Sequence, residues 1–273
     1  MINFLHNFSP TAILVSIGPL SIHWYGFFIV LGILAGLLTV LKAAKYLKIT
    51  SDEVYNLAFY LIIFSLIGAR VYDIFLEWPY FSTHPSEMIA VWHGGLAIHG
   101  AIIGGVATLL VYVWRTKQSF WRWADLLILG LPIGQAMGRW GNYFNQELFG
   151  WPTNLPWGIY IKPENRPTEF ANSNYFQPAF LYESILNFLN FLVLIILFSK
   201  KTKWKLKEGS LALVYLVNYS VIRIIMELVR IDETPVVFGW RVPILVSLVV
   251  IILAVSFLIY RHKKIDSNSK DNL

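Results

Sequence analysis

Long apolar runs dominate the chain, each broken by a short polar or basic segment. A bilayer span needs about 20 mostly apolar residues, and windows near 19–41, 54–75, 95–114, 123–138, 178–198, 209–229 and 242–260 are candidates. Each predicts a membrane-crossing helix. The fourth window is the weakest, being short and carrying Asp125, Gly130, Pro132 and Gly134. Such breakers at membrane depth predict a bent or interrupted helix that faces protein or a cavity and not lipid. The segment of about 142–177 is polar and rich in Pro, Asn and Trp, which predicts a small extracytoplasmic cap. There is no fixed-period repeat and no low-complexity tract. The expected architecture is an all-α integral membrane protein of about seven transmembrane helices. Residues 1–265 form a single transmembrane domain in this reading, and 266–273 a polar, disordered cytoplasmic tail.

Composition points the same way. Only 14% of the 273 residues are charged and 56% are hydrophobic, whereas a soluble domain carries about 25% charged residues. The 11 Trp and 14 Tyr suit headgroup-level belts. The net charge of +6 does not imply nucleic acid, because its placement follows the spans. Fifteen of the 22 Lys and Arg residues cluster after the first, third, fifth and seventh windows, on alternate loops. The positive-inside rule makes those loops cytoplasmic and sets the N-terminus outside and the C-terminus inside. Cysteine is absent, which excludes disulfides, thiolate metal sites and a cysteine nucleophile from this chain. The N-terminus lacks a basic n-region and an A-x-A site, so no cleavable signal peptide is expected.

The remaining basic residues gather near the outer span ends, where each needs a partner or a task. Arg223, Glu227 and Arg230 stand at i, i+4 and i+7, stacked on one helical face. They read either as a structural Arg–Glu–Arg network or as an anion site in which Glu227 orients an arginine. Arg70, Asp73 and Glu77 again stand at helical spacing, each with an intrahelical partner. His99 sits in the glycine-rich HGGLAIHGAIIGG of 93–105 at the depth of the arginines, and its flanking glycine gives a ligand access. His93, beside Trp92, reads as an interface residue; no third ligand has the spacing to make the pair a metal site. GRWGNYFNQELFG, 138–150, surrounds Arg139 with Gly138 and Gly141 and adds Asn142, Asn145 and Glu147. A guanidinium fork matches phosphate oxygens two at a time, and a lipid headgroup is the nearest abundant phosphate at this depth. QPAFLYE, 177–183, brings Gln177, Tyr182 and Glu183 to the outer end of the fifth window. Tyr25 lies in HWYG and reads as a belt tyrosine or a site residue.

HWYG (23–26), GAR (68–70), GGLAIHG (94–100), GRWGNYFNQE (138–147), QPAFLYE (177–183) and RIIMELVR (223–230) together resemble the ordered motif set of the prolipoprotein diacylglyceryl transferases, from about residue 20 to 260. The resemblance implies transfer of the diacylglyceryl group of phosphatidylglycerol to the lipobox cysteine of a prolipoprotein signal peptide, releasing glycerol 1-phosphate. It implies a bacterial cytoplasmic-membrane enzyme with no metal and no cofactor, acting at the extracytoplasmic leaflet. By residue match it makes His99, Arg139 and Arg223 catalytic. Tyr25, Asn142, Glu147 and Glu227 match further important positions, and Arg70, Asn145 and Arg230 join them as expected substrate-binding residues. Some relatives carry His where this chain has Gln177, so proton transfer by that side chain is unavailable or dispensable here.

The chemistry fits those residue types. A free thiol has a pKa of about 8.5, imidazole suits proton transfer near neutrality, and preplaced arginines stabilise negative charge on a departing phosphate. A transporter for an anionic solute is the competing reading, since charged residues and a broken helix suit that too; two similar halves are not evident in the sequence. An intramembrane protease would want a Ser–His pair or paired membrane aspartates, and neither is found.

Overall fold

The computed structural model describes residues 2–18 and 20–270. Helix α1 (Ile2–Asn7) leads to an antiparallel hairpin of β1 (Ile13–Ile17) and β2 (Leu20–His23). Then come α2 (Trp24–Tyr46), α3 (Ser51–Leu76), the short α4 (Trp78–Phe81), α5 (Ile98–Thr116), α6 (Phe120–Leu127) and α7 (Leu131–Asn145). The small strands β3 (Ile159–Tyr160) and β4 (Tyr175–Phe176) pair before α8 (Ala179–Lys200) and α9 (Ser210–Val229). A hairpin of β5 (Val236–Val237) and β6 (Trp240–Arg241) leads into α10 (Val242–Lys270).

Among the described residues, six helices are long and apolar enough to cross a membrane: α2, α3, α5, α8, α9 and the Val242–Arg261 part of α10. The chain is a mostly helical, multi-pass membrane protein. Many large apolar side chains on these helices are exposed, as lipid contact requires. The fourth window is in two pieces. α6 stops at Leu127 and α7 starts at Leu131, with Pro132 in its first turn. Proline lacks the N–H that a continuous helix would use there, but fits a first turn. At the other end, α10 continues to Lys270, through residues expected to be disordered. Extending an existing helix is far easier than nucleating one. The last tail positions, 271–273, lie outside the described residues.

The chain divides into two compact units, Val40–Leu126 and the remainder. In the first, α3 packs on α5 at van der Waals range because glycines line the contact: a Cβ on Gly100 would lie 2.2 Å from the carbonyl oxygen of Gly68. Thr50 and Glu53 form a reciprocal capping box that starts α3. In the second unit, α8 packs against both α7 and α9, and α9 against α10. The polar segment after α7 folds as a cap over its own small core of Phe149, Ile159, Ile161 and Phe176, with Tyr143 and Phe180 from the helices. Gly150 donates to the carbonyl of Gln177 at 2.9 Å and Trp151 to that of Val229 at 3.2 Å. These bonds tie the cap to the approach to α8 and the end of α9.

Candidate functional site

A chain of polar contacts begins on α7. Arg139 Nη2 lies 2.9 Å from Glu183 Oε1 of α8. Its Nη1 donates to Asn142 Oδ1 at 3.0 Å. Asn142 in turn donates to Glu147 Oε1 at 2.8 Å, and Asn145 donates to the same oxygen at 3.4 Å. Arg139 and Asn142 are three apart on one helical face, so the spacing alone brings them together. Glu147 follows because α7 ends at Asn145 with Gln146 in the left-handed conformation, folding the chain back so that the Glu147 amide bonds to the Asn142 carbonyl. The buried Gln146 holds this turn to the cap, donating to the Tyr160 carbonyl and accepting from the Lys162 amide. Gly141 lets the ring of Tyr25 lie against α7, since a Cβ there would be 2.6 Å from Tyr25 Cδ2. The Tyr25 hydroxyl then feels the charges of Glu147 and Arg139.

The second cluster is on α9. Arg223 Nη2 stands 2.9 Å from Glu227 Oε2, as the i, i+4 spacing predicts. Arg230 departs from the expected face. α9 ends at Val229, and Arg230 is an extended C-cap residue. Its guanidinium turns to Asp232 in a two-pronged contact of 2.7 and 2.9 Å and lies 3.9 Å from Glu183 Oε2. Burial would lower the pKa of Arg230, but the bonds and charge of Asp232, with Glu183 and Glu227, raise it above its ordinary value. The second cation on Glu227 is Arg241, whose Nε is 3.2 Å from Oε1. Arg241 also donates to the carbonyls of Arg230 and Asp232 and to Thr234 Oγ1. Both carboxylates, Glu183 and Glu227, are buried, and each is approached by two arginines.

Glu183 was expected near this level but not as a counterion, and Asp232 and Arg241 were not expected at the site. Glu183 and Arg241 find their partners on other elements, and Asp232 meets Arg230 only because the chain leaves the helix after Val229, none of which helical periodicity reveals. The only available signal was a charged residue beside an apolar window, where it needs a partner.

The Val40–Leu126 unit holds Arg70 and His99. All five guanidinium N–H groups of Arg70 meet backbone carbonyls. Nε donates to Met88 at 3.0 Å, and Nη1 to Gly94 and Gly95, both at 2.7 Å. Nη2 donates to Glu87 and to Ala90. Asp73 lies 3.6 Å away, and the Phe81 ring stacks 4.9 Å from the guanidinium carbon. The loop before α5 is thus wrapped around this one side chain. Gly94 and Gly95 turn at φ of 94° and 72°, where a side chain is strained, and a Cβ on Gly95 would sit 2.5 Å from Arg70 Nη1. His99 is exposed in the first turn of α5, its ring 5.9 Å from that of Tyr72. His93 is turned away onto Glu87, 2.7 Å from its carboxylate.

A model of the prolipoprotein diacylglyceryl transferase family matches residues 12–260. The chain belongs to this family. Among curated relatives it is similar to the phosphatidylglycerol–prolipoprotein diacylglyceryl transferase of Trichormus variabilis, 44% identical over 227 residues, covering 82% of this chain and 80% of that one. The protein of the same name from Synechococcus elongatus is 41% identical over 254 residues, 92% and 88% of the two chains. That of a Synechocystis species is 37% identical over 256 residues, 93% and 90%. In this diacylglyceryl transferase family member, the motif residues of α7 and α9 are the ones whose arginines pair with buried carboxylates and amides.

Proposed function

We propose that this chain is a phosphatidylglycerol–prolipoprotein diacylglyceryl transferase. It moves the diacylglyceryl group onto a lipobox cysteine thiol and releases glycerol 1-phosphate. Family membership over residues 12–260 carries this assignment. The chemistry of the arginine clusters supports it.

Arg139 and Arg223 hold the phosphate of phosphatidylglycerol. In the structure each is paired with a carboxylate, Glu183 or Glu227, and buried carboxylates of this kind hold a guanidinium in place for an incoming anion. Among the described residues, the buried Nε of Arg139 has no hydrogen-bond partner, so it is a donor available to a phosphate oxygen. In the reaction the thiolate sulfur bonds to the glycerol carbon while the bond from that carbon to the phosphate oxygen breaks. Negative charge collects on the departing phosphate, where preplaced guanidinium groups stabilise it most. His99 accepts the thiol proton as general base. Tyr25, Asn142, Asn145, Glu147, Glu227 and Arg230 shape and orient the headgroup site.

The protein lies in the bacterial cytoplasmic membrane with seven passes, counting the α6–α7 pair as one. The N-terminus is outside and the C-terminus inside, as the distribution of basic residues favours. The arginine clusters then face the extracytoplasmic leaflet, where lipobox peptides arrive.

Purified protein in vesicles with labelled phosphatidylglycerol and a lipobox peptide tests the assignment. Thioether-linked lipid on the cysteine is expected. Passage of an anionic solute without any peptide product would point instead to the transporter reading. Near-normal turnover of His99→Gln would remove the base role and leave the transferase assignment standing.

A further inference from the structure

One turn past the Arg139–Glu183 pair, the packing between α7, α8 and α9 is polar where a membrane-spanning core is ordinarily apolar. On α8, Asn187 is 0% exposed and Asn190 is 4% exposed. Asn187 Nδ2 donates to the carbonyl of Glu183 at 2.9 Å, while Asn190 Oδ1 accepts from Asn218 Nδ2 of α9 at 2.9 Å. On α7, Gln135 lies one turn before Arg139, beside Ala136, whose carbonyl accepts from Ser184 Oγ of α8 at 2.8 Å; on α9 the Tyr215 ring, three residues before Asn218, stacks on Tyr219. Cross-helix bonds therefore knit all three helices at this level.

Each of the three amides keeps a buried atom without a partner. Among the described residues, Asn187 Oδ1, Gln135 Oε1 and Asn190 Nδ2 are buried and have no hydrogen-bond partner. Two are acceptors and one is a donor. In a bilayer core no lipid group supplies the missing bonds, and an orphaned amide atom there is costly. Water is the smallest molecule that donates twice and accepts as well, and buried water characteristically makes about three such bonds. Asn187 and Asn190 are three apart on α8 and so share a face.

We propose that Asn187, Asn190 and Gln135 form an internal water-binding site in the α7–α8–α9 core. Its role rests on the transferase reading. When Arg139 turns toward the headgroup phosphate, the buried Glu183 carboxylate loses its 2.9 Å partner. Arg230 remains only at 3.9 Å from Glu183 Oε2, and water held one turn away supplies the hydrogen bonds that Arg139 gives up.

X-ray radiolytic labelling of the whole protein in nanodiscs, in 18O-labelled water, tests the site directly. Radicals born from bound water oxidise the side chains beside it. Tyr215 is expected to be labelled despite its burial, while Phe176, buried among apolar residues, stays unlabelled. An unlabelled Tyr215 in the wild-type protein would overturn the site without any variant being needed. Asn187→Leu and Asn190→Leu are expected to abolish the Tyr215 label. The role predicts that kcat for peptide lipidation then falls by about tenfold, equivalent to about 1.4 kcal/mol, with KM for phosphatidylglycerol little changed. Loss of label with unchanged kcat would overturn the role and leave the water site. Absence of peptide lipidation by the wild-type protein would overturn the transferase reading and with it the role, and labelling would still decide the site.

Discussion

Arg70 and Arg139 are both partly or wholly withdrawn from water beside an apolar span, yet they are held in opposite ways. Arg70 spends all five donors on backbone carbonyls of one loop. Arg139 touches only side chains, the Glu183 carboxylate and the Asn142 amide, and keeps a buried Nε unpaired among the described residues. Arg223 resembles Arg139, with Glu227 as its ion-pair partner. Carbonyls fixed in a loop cannot turn away without unfolding the loop, whereas a carboxylate on a rotatable side chain can share or yield its guanidinium. The first arrangement builds structure and the second is suited to exchange partners with a phosphate. Arg70 was expected to bind substrate; in this conformation its donors are fully engaged by its own loop.

The sharpest test of that contrast is to keep the charge and remove the fork. Arg139→Lys or Arg223→Lys retains a cation but loses the two-pronged geometry. Each is expected to lower lipidation turnover by about 10²–10³-fold, the range for losing one preorganised donor to a developing anion. Thermal unfolding in detergent should stay near that of the parent. Collapse of the fold in these variants would erase the distinction from Arg70.

Arg70→Met should do the reverse. Removing the one buried donor group that serves five backbone carbonyls is expected to destabilise the Val40–Leu126 unit by about 3–5 kcal/mol, the range for stripping one partner from a buried charged contact. Melting temperature and protease cleavage within 82–97 would report it. Gly95→Ala, which drives a methyl into Arg70 Nη1 and Asp73, should mimic the loss more weakly. A stable Arg70→Met protein with a large rise in KM for phosphatidylglycerol would return Arg70 to the substrate-binding set.

Much of this was legible in the amino-acid sequence because the bilayer imposes a length. The windows at 178–198 and 209–229 coincide closely with α8 and α9, and Pro132 and Gly130 marked the break between α6 and α7. Contacts between near neighbours on one helix were also readable, such as Arg223 with Glu227. The pairing of Arg139 with Glu183 was not, because it joins two helices and no periodicity encodes it. Arg230 departs for a local reason: the helix stops at Val229, and Arg230, as its extended C-cap, turns its guanidinium to Asp232. The task of Arg70 leaves no sequence trace either, since its acceptors are carbonyls that every residue carries.

Glu227 offers an intermediate case, because Arg223 and Arg241 divide its carboxylate at 2.9 and 3.2 Å. Arg241→Met removes one claimant and loosens the hairpin from three backbone carbonyls. Glu227 should then bind Arg223 more tightly, and KM for phosphatidylglycerol should rise by roughly tenfold for each 1.4 kcal/mol of that tighter hold. An unchanged KM would mean that Arg223 does not exchange Glu227 for phosphate, which would weaken its likeness to Arg139.

The smallest effect separates two amides that share one acceptor. Asn142 and Asn145 both donate to Glu147 Oε1, at 2.8 and 3.4 Å. Asn142 is buried and also accepts from Arg139, so its loss frees Arg139 on one side and leaves buried groups unpaired. Asn145 gives only a long, exposed bond. A net hydrogen bond contributes about 0.5–1.5 kcal/mol, with more lost when a buried partner is stranded. Asn142→Ala should therefore cost about tenfold or more in turnover, and Asn145→Ala no more than about twofold. Equal losses would show that the Glu147 carboxylate itself, and not the support of Arg139 through Asn142, is what the α7 end provides. That would move the functional centre of this cluster from the arginine to the turn that follows it.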